Sequence, residues 1–288
     1  MRGLRRAPGG AADLCRVPAV HTFVHRGFTL AYRVYGQGPA AAIAFHGFGG
    51  TGRNFEPLVP ALKDRFTTYA VDIFYHGESR FPDDRSADRP IAPEEFTGLM
   101  HAFLDARAID RAVIMGFSLG GRLALTCVER LPERCAGLWL FAPDGLVRFP
   151  WYRAASKWAW GRSVYRRFVH APGRVHWLFD RAHALGLITE RRHRFLKGHT
   201  SDATRRQLVY DVWLGLRLLE PDLRTVGRHL RDHDLRAEVF LGKHDKVILP
   251  RWGANLERVA PERVRVHLLD CGHQVVTPEL GERLKGLR

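Results

Sequence analysis

Apolar residues in this chain fall into short runs, each cut off by glycine or a polar residue. Ala40–Phe45, Thr67–Val71, Ala112–Met115, Glu238–Leu241 and Val264–Leu269 are such runs. Runs of this length, bounded by turn formers, read as strands. After Met115 the period changes. Leu123, Ala124, Cys127, Val128 and Leu131 recur at helical spacing, and Pro132 ends the pattern. A shorter helix-like stretch lies near Asn54–Val59. From Gly145 to about Arg236 the strand pattern stops. That segment is rich in Trp, Arg and His and reads as several helices. The pattern predicts an α/β core over residues 20–145 and 237–288, interrupted by a helical insertion over 146–236. A length of 288 residues suits one such domain plus an inserted subdomain.

The change of period falls on Gly116-Phe117-Ser118-Leu119-Gly120, a G-x-S-x-G between a predicted strand and a predicted helix. A serine on a sharp strand-to-helix turn projects its hydroxyl clear of the sheet. Glycines on either side remove Cβ atoms that would clash in so tight a bend. The helix that starts there directs free backbone N–H groups at developing negative charge. A nucleophilic serine needs a base, and the base needs an orienting acid. Asp245 follows the run Glu238–Leu241, and His273 follows the run Val264–Leu269 behind Gly272. Two other acids compete with Asp245. Asp144 follows an apparent strand ending near Phe141, and Asp270 lies three residues before His273.

The chain order Ser, Asp, His joins other short motifs: His46-Gly47-Phe48-Gly49-Gly50, Asp72…His76-Gly77-Glu78-Ser79 and Gly242…Asp245…Pro250. In that order and at that spacing, the chain resembles the α/β-hydrolase superfamily from about Val20 to Leu287. The resemblance implies an α/β-hydrolase fold: a mostly parallel central sheet flanked by helices, with a helical cap inserted over the active site. It implies Ser118 as nucleophile, His273 as base and Asp245 as acid. It also implies an oxyanion hole made by the backbone N–H groups of Phe48 and Leu119. The expected enzyme is a serine hydrolase, carboxylesterase-like, cleaving an ester or related acyl bond of a small, largely apolar substrate. No cofactor and no metal are expected. Where the family usually has Pro and Gly, this chain has Phe74 and Tyr75, an aromatic pair expected near the active-site mouth. Tyr75 and Trp151 are candidate substrate contacts, and His46 and His76 are read as structural. Ser118-Leu119-Gly120-Gly121-Arg122 also resembles the S-x-G-G-R of the menaquinone-pathway SHCHC synthase, a lyase on the same fold. That likeness implies a carboxylate-binding role for Arg122. It supplies the alternative, a non-hydrolytic lyase acting on an anionic substrate.

The net charge is +15. Residues 148–236 hold 17 Arg and 2 Lys against 8 acids, a net of +11, so most of the excess sits on the expected cap. Three readings follow: a solvated basic surface, attraction of anionic substrates, or adhesion to nucleic acid or an anionic membrane. The first is favoured. No helix-turn-helix, RNA-binding motif or zinc finger supports specific nucleic-acid binding. Trp151, Trp158, Trp160, Trp177 and Trp213 are expected to line the cap's apolar side, with most Arg outside. The run Trp151–His170 also suits an amphipathic helix on a membrane surface. No stretch reaches the roughly 20 apolar residues of a spanning helix. Residues 1–19 lack an apolar signal core and are expected to form a disordered tail. Cys15, Cys127, Cys135 and Cys271 show neither CxxC nor zinc-ligand spacing, which fits reduced thiols in a cytoplasm.

Overall fold

The computed structural model describes residues 18–85, 88–148, 158–170, 173–190, 194 and 202–287. The strands are β1 (His21–His25), β2 (Phe28–Tyr35), β3 (Ala40–Phe45), β4 (Phe66–Val71), β5 (Ala112–Phe117), β6 (Cys135–Phe141), β7 (Ala237–Gly242) and β8 (Val264–Leu269). They form one eight-stranded sheet in the order β1-β2-β4-β3-β5-β6-β7-β8. β1, β2 and β4 pair antiparallel, and every pairing from β4 to β8 is parallel. The five expected strands are all present, within a residue or two at their ends. The β1–β2 hairpin was not foreseen. It turns through Arg26 and Gly27, both at positive φ, the backbone that matches the twist of a two-residue hairpin.

The helices are α1 (Val59–Leu62), α2 (Pro93–Ala106), α3 (Leu119–Arg130), α4 (Ala159–His170), α5 (Gly173–Ala184), α6 (Ala203–Gly215), α7 (Leu223–Asp232), α8 (Gly253–Glu257) and α9 (Pro278–Leu284). The stretch near Asn54–Val59 is a 3-10 helix, Gly52–Leu58, that runs into α1. Parallel strands must be joined by crossovers that cover both faces, so the central strands are buried on both sides. β7 is buried at every position, and Ile43, Ala44, Leu138 and Leu140 are fully enclosed. α3 lies against β3, β5 and β6 through Leu123, Ala124, Cys127 and Val128.

Among the described residues between β6 and β7 the regular elements are helices, without a strand. The helices named there divide by what they touch. α4 packs on α6, where Val169 joins Tyr210 and Leu214. α7 instead packs on α3, with Val226 and Leu230 fully buried. His229 Nδ1 lies 3.2 Å from the Val128 carbonyl, and the Asp222 amide donates to Glu129 Oε1 at 3.1 Å. α7 therefore belongs to the helical layer of the core, although it lies within the 146–236 insertion.

The parallel arrangement fixes where function can sit. The carboxyl ends of β3, β4, β5, β7 and β8 all emerge on one edge of the sheet. The loops that carry His46–Gly50, Asp72–Ser79, Ser118, Asp245 and His273 follow those ends.

Candidate active site

The turn between β5 and α3 is as tight as its glycines suggest. A Cβ on Gly120 would lie 2.0 Å from the Phe45 carbonyl oxygen. One on Gly116 would lie 2.5 Å from the Gly120 carbonyl oxygen. Neither position admits a side chain without moving backbone. Between them Ser118 adopts φ 49° and ψ −118°, a conformation few non-glycine residues take. Its amide donates to the Phe141 carbonyl at 2.9 Å, and its own carbonyl accepts from Gly121 and Asp144, each at 2.8 Å. Those bonds hold the strained residue in place.

Three residues from three loops then meet. Ser118 Oγ lies 3.0 Å from His273 Nε2, and His273 Nδ1 lies 2.7 Å from Asp245 Oδ2. A carboxylate only accepts, so Nδ1 carries the imidazole proton and Nε2 is free to accept from the serine hydroxyl. The Asp245 carboxylate is fully buried, and its other oxygen accepts from the amides of Val247 (2.7 Å) and Ile248 (3.0 Å). The two loops approach closely because Gly242 has no side chain: a Cβ there would lie 2.0 Å from the Gly272 carbonyl oxygen. The rival acids are engaged elsewhere. Asp144 pairs with Arg122 at 2.6 Å, and Asp270 pairs with His244 at 2.8 Å on the surface.

The glycine-rich loop after β3 closes on the same point. Gly47 faces the Phe117 ring and Ser118 Cβ, which would lie 3.0 and 3.1 Å from an added Cβ. Phe48 and Leu119 both border the cavity at Ser118, and Leu119 opens α3, so its N–H has no acceptor within the helix. Two histidines brace this loop. His46 Nε2 accepts from the Ile73 amide at 2.9 Å, and His76 Nε2 accepts from the Gly49 amide at 2.8 Å. Their Nδ1 atoms face the carbonyls of Gly47 (2.6 Å) and Phe74 (3.2 Å). Both rings are thus neutral with the proton on Nδ1. Burial, then the neighbouring His76, pushes His46 down to about 3, and burial also lowers His76. Asp72 anchors the other side, accepting from the Gly52 amide at 2.7 Å and pairing with Arg33 at 3.1 Å.

A cavity of about 350 Å³ opens beside Ser118. Phe48, Leu119, Val147, Val212, Trp213, Val247, Ile248 and Trp252 supply a mostly carbon wall. Arg122 and Asp144 face it as an ion pair, with Arg148 and Glu220 at the same end. Arg122 is therefore brought to the site, already engaged by a carboxylate. Tyr75 is not among the lining residues. It sits at positive φ under the insertion, its ring against Gly215, beside Val169, Tyr210 and Leu214. Phe74 is buried against Phe28 and Phe81. The aromatic pair thus packs core and insertion together and does not form the mouth. Trp151 lies outside the described residues. Of the other insertion tryptophans only Trp213 lines the cavity; Trp158, Trp160 and Trp177 face outward. The described insertion tryptophans other than Trp213 therefore do not form the apolar roof that the sequence suggests. Trp160 and the buried Val169 are nine residues apart, about half a turn out of phase on an α-helix, so burying one exposes the other. Trp252 was not singled out from sequence. Its available signal was an aromatic just past Pro250, closing an apolar run in an otherwise polar loop.

Known proteins agree with this architecture. The chain is 31% identical over 147 residues to an uncharacterized protein of Mycobacterium tuberculosis, covering 51% of this chain and 40% of that relative's length. It is 22% identical over 262 residues to the uncharacterized hydrolase YugF of Bacillus subtilis, covering 90% of this chain and 93% of YugF. Among solved structures, a thermophilic esterase from Thermogutta terrifontis superposes with a TM-score of 0.62 at 19% identity, over 92% of this chain and 94% of that one. A family model described as the alpha/beta hydrolase fold matches residues 43–276, and on that match and this architecture the chain belongs to the α/β-hydrolase family.

Proposed function

We propose that the protein is a serine hydrolase that cleaves an ester or related acyl bond of a small, largely apolar substrate. The observation that carries this reading is the hydrogen-bonded run Ser118–His273–Asp245 opening into a carbon-walled cavity. In this reading Ser118 Oγ attacks the acyl carbon as His273 Nε2 takes its proton. Asp245 keeps the imidazole in the accepting tautomer and steadies the imidazolium that forms. The amides of Phe48 and Leu119 hold the oxyanion, a pair of fixed donors each worth about 10²–10³ in rate. His273 then passes the proton to the leaving alcohol, and water repeats the sequence on the acyl-enzyme. The neutralised Arg122 argues for uncharged acyl groups, and Trp213 and Trp252 give them apolar contact.

A fluorophosphonate probe tests the nucleophile. Labelling should occur at Ser118 and vanish in Ser118→Ala; labelling elsewhere, or none in folded protein, would refute the assignment. The lyase alternative rests on Arg122 in the cavity wall. A preference for an anionic over a neutral ester of equal size, abolished by Arg122→Ala, would favour it.

A further inference from the structure

The insertion exposes large apolar residues more densely than the rest of the described surface. Trp158, Trp160 and Trp177 are 58%, 61% and 59% exposed, and Leu185 and Leu187 are 73% and 72% exposed. Half of the exposed large hydrophobics among the described residues thus lie between residues 158 and 187. The same stretch holds five arginines and a single acid, Asp180.

The helices arrange these residues in stripes. α4 is anchored inward by Val169, so Trp160, Ser163 and Arg167 share its solvent face at spacings of three and four. Among the described positions of α5 the exposed ones are Gly173, Trp177, Arg181 and Ala184, again one face, while His176, Phe179, Asp180 and His183 are half-buried. The Arg181 guanidinium lies over the Trp177 ring, 5.5 Å from its centroid, and Trp158 packs on Trp160 at 5.8 Å. Leu185 and Leu187 follow directly from the end of α5.

Single exposed hydrophobics need no explanation, but tryptophans and leucines concentrated among arginines do. We infer that the outward faces of α4 and α5 dock on an anionic lipid surface. Tryptophan rings rest at headgroup level with the indole N–H in the wet layer. Leucines gain from the acyl boundary, and arginines are attracted by anionic headgroups. A nucleic acid would satisfy the arginines and stack on the tryptophans, yet it would leave Leu185 and Leu187 in water. The inference rests on these outward faces and does not depend on the reaction proposed for Ser118.

The test is co-sedimentation of the full chain with phosphatidylcholine vesicles, with and without phosphatidylglycerol, at low and high salt. Binding to the anionic vesicles should be at least about tenfold stronger than to neutral ones and should weaken with salt. The double variant Leu185→Ser/Leu187→Ser, with unchanged circular dichroism, should lose most of that binding. Its turnover of a water-soluble ester should stay within twofold of the parent. Arg167→Gln/Arg181→Gln should lower anionic-vesicle binding alone, which keeps the test open if the leucine variant misfolds. Absence of binding, or equal binding to both vesicle types, would overturn the inference. So would retention on duplex DNA in place of vesicles, or a dimer in solution that the leucine variant breaks.

Discussion

Ser118 holds a conformation that costs energy, and the backbone bonds around it keep it there. Replacing it with alanine removes only Oγ. We expect Ser118→Ala to lower kcat by about 10⁴–10⁶ with an unchanged melting curve. The acids offer a sharper comparison. Asp245 touches His273 and Asp144 touches Arg122, so Asp245→Asn should cost orders of magnitude while Asp144→Asn leaves hydrolysis of a neutral ester nearly intact. The reverse pattern in kcat would reassign the acid. The glycines differ as strongly as the acids. Gly242→Ala drives a Cβ onto a backbone oxygen, whereas a Cβ on Gly272 meets nothing within 4 Å. The first should separate Asp245 from His273 and abolish activity; the second should leave kcat/KM within a few-fold. Equal effects would show that the close approach of the two loops is not what aligns the pair.

Elements transmit these demands to the fold. The β3 loop is braced by two histidines that the fold keeps neutral, His46 pushed down to about 3 and His76 lowered with it. An unfolded chain protonates its histidines near about 6.5, so below that pH the unfolded state binds more protons than the native one. Stability should therefore fall as pH drops from about 6.5 toward 3, by up to about 1.4 kcal/mol per unit for each histidine held neutral. Urea midpoints at pH 7 and pH 5 check this. His46→Gln should be less stable at pH 7, and its deficit against the parent should shrink at pH 5; a constant deficit would mean that His46 is not the titrating group. Helix α7 gives the packing counterpart. Leu230 is fully buried between α7 and the core, so Leu230→Ala should cost about 2–5 kcal/mol. Trp160→Ser, on the outer face of α4, should stay within about 0.5 kcal/mol. Both are read from denaturant unfolding.

At the scale of the whole molecule, a strongly cationic protein encloses a cavity whose wall is mostly carbon and whose two lining arginines, Arg122 and Arg148, are each paired with an acid. The surface charge and the cavity therefore make separate predictions. For neutral p-nitrophenyl esters, kcat/KM should rise by about fourfold per added CH₂, the equivalent of about 0.8 kcal/mol, until about 350 Å³ is filled. Ionic strength should barely move those values. A steep salt dependence for neutral esters, or a flat response to chain length, would contradict an apolar acyl pocket.

The chain itself determined a good deal. Short apolar runs located the parallel strands, because central strands such as β3, β5 and β7 are buried on both faces, while the edge strand β8 showed itself by alternation. The G-x-S-x-G, with Asp245 and His273 at later strand ends, located the candidate triad, because parallel strands deliver their carboxyl ends to one edge. The β1–β2 hairpin was harder to read, since an exposed edge strand such as His21–His25 carries a weak apolar pattern. The spacing Gly242…Asp245…Pro250 already favoured Asp245 over Asp144 and Asp270, and the tertiary structure added what lies within 3 Å of each. The tertiary structure alone moved Tyr75 from the mouth to the seam beneath the insertion and counted α7 with the core. It also turned Trp158, Trp160 and Trp177 outward while keeping Trp213 on the cavity. Composition records how many tryptophans and arginines a segment holds. Which of them meet water depends on the phase of each helix against its neighbours, and that phase is set by long-range packing.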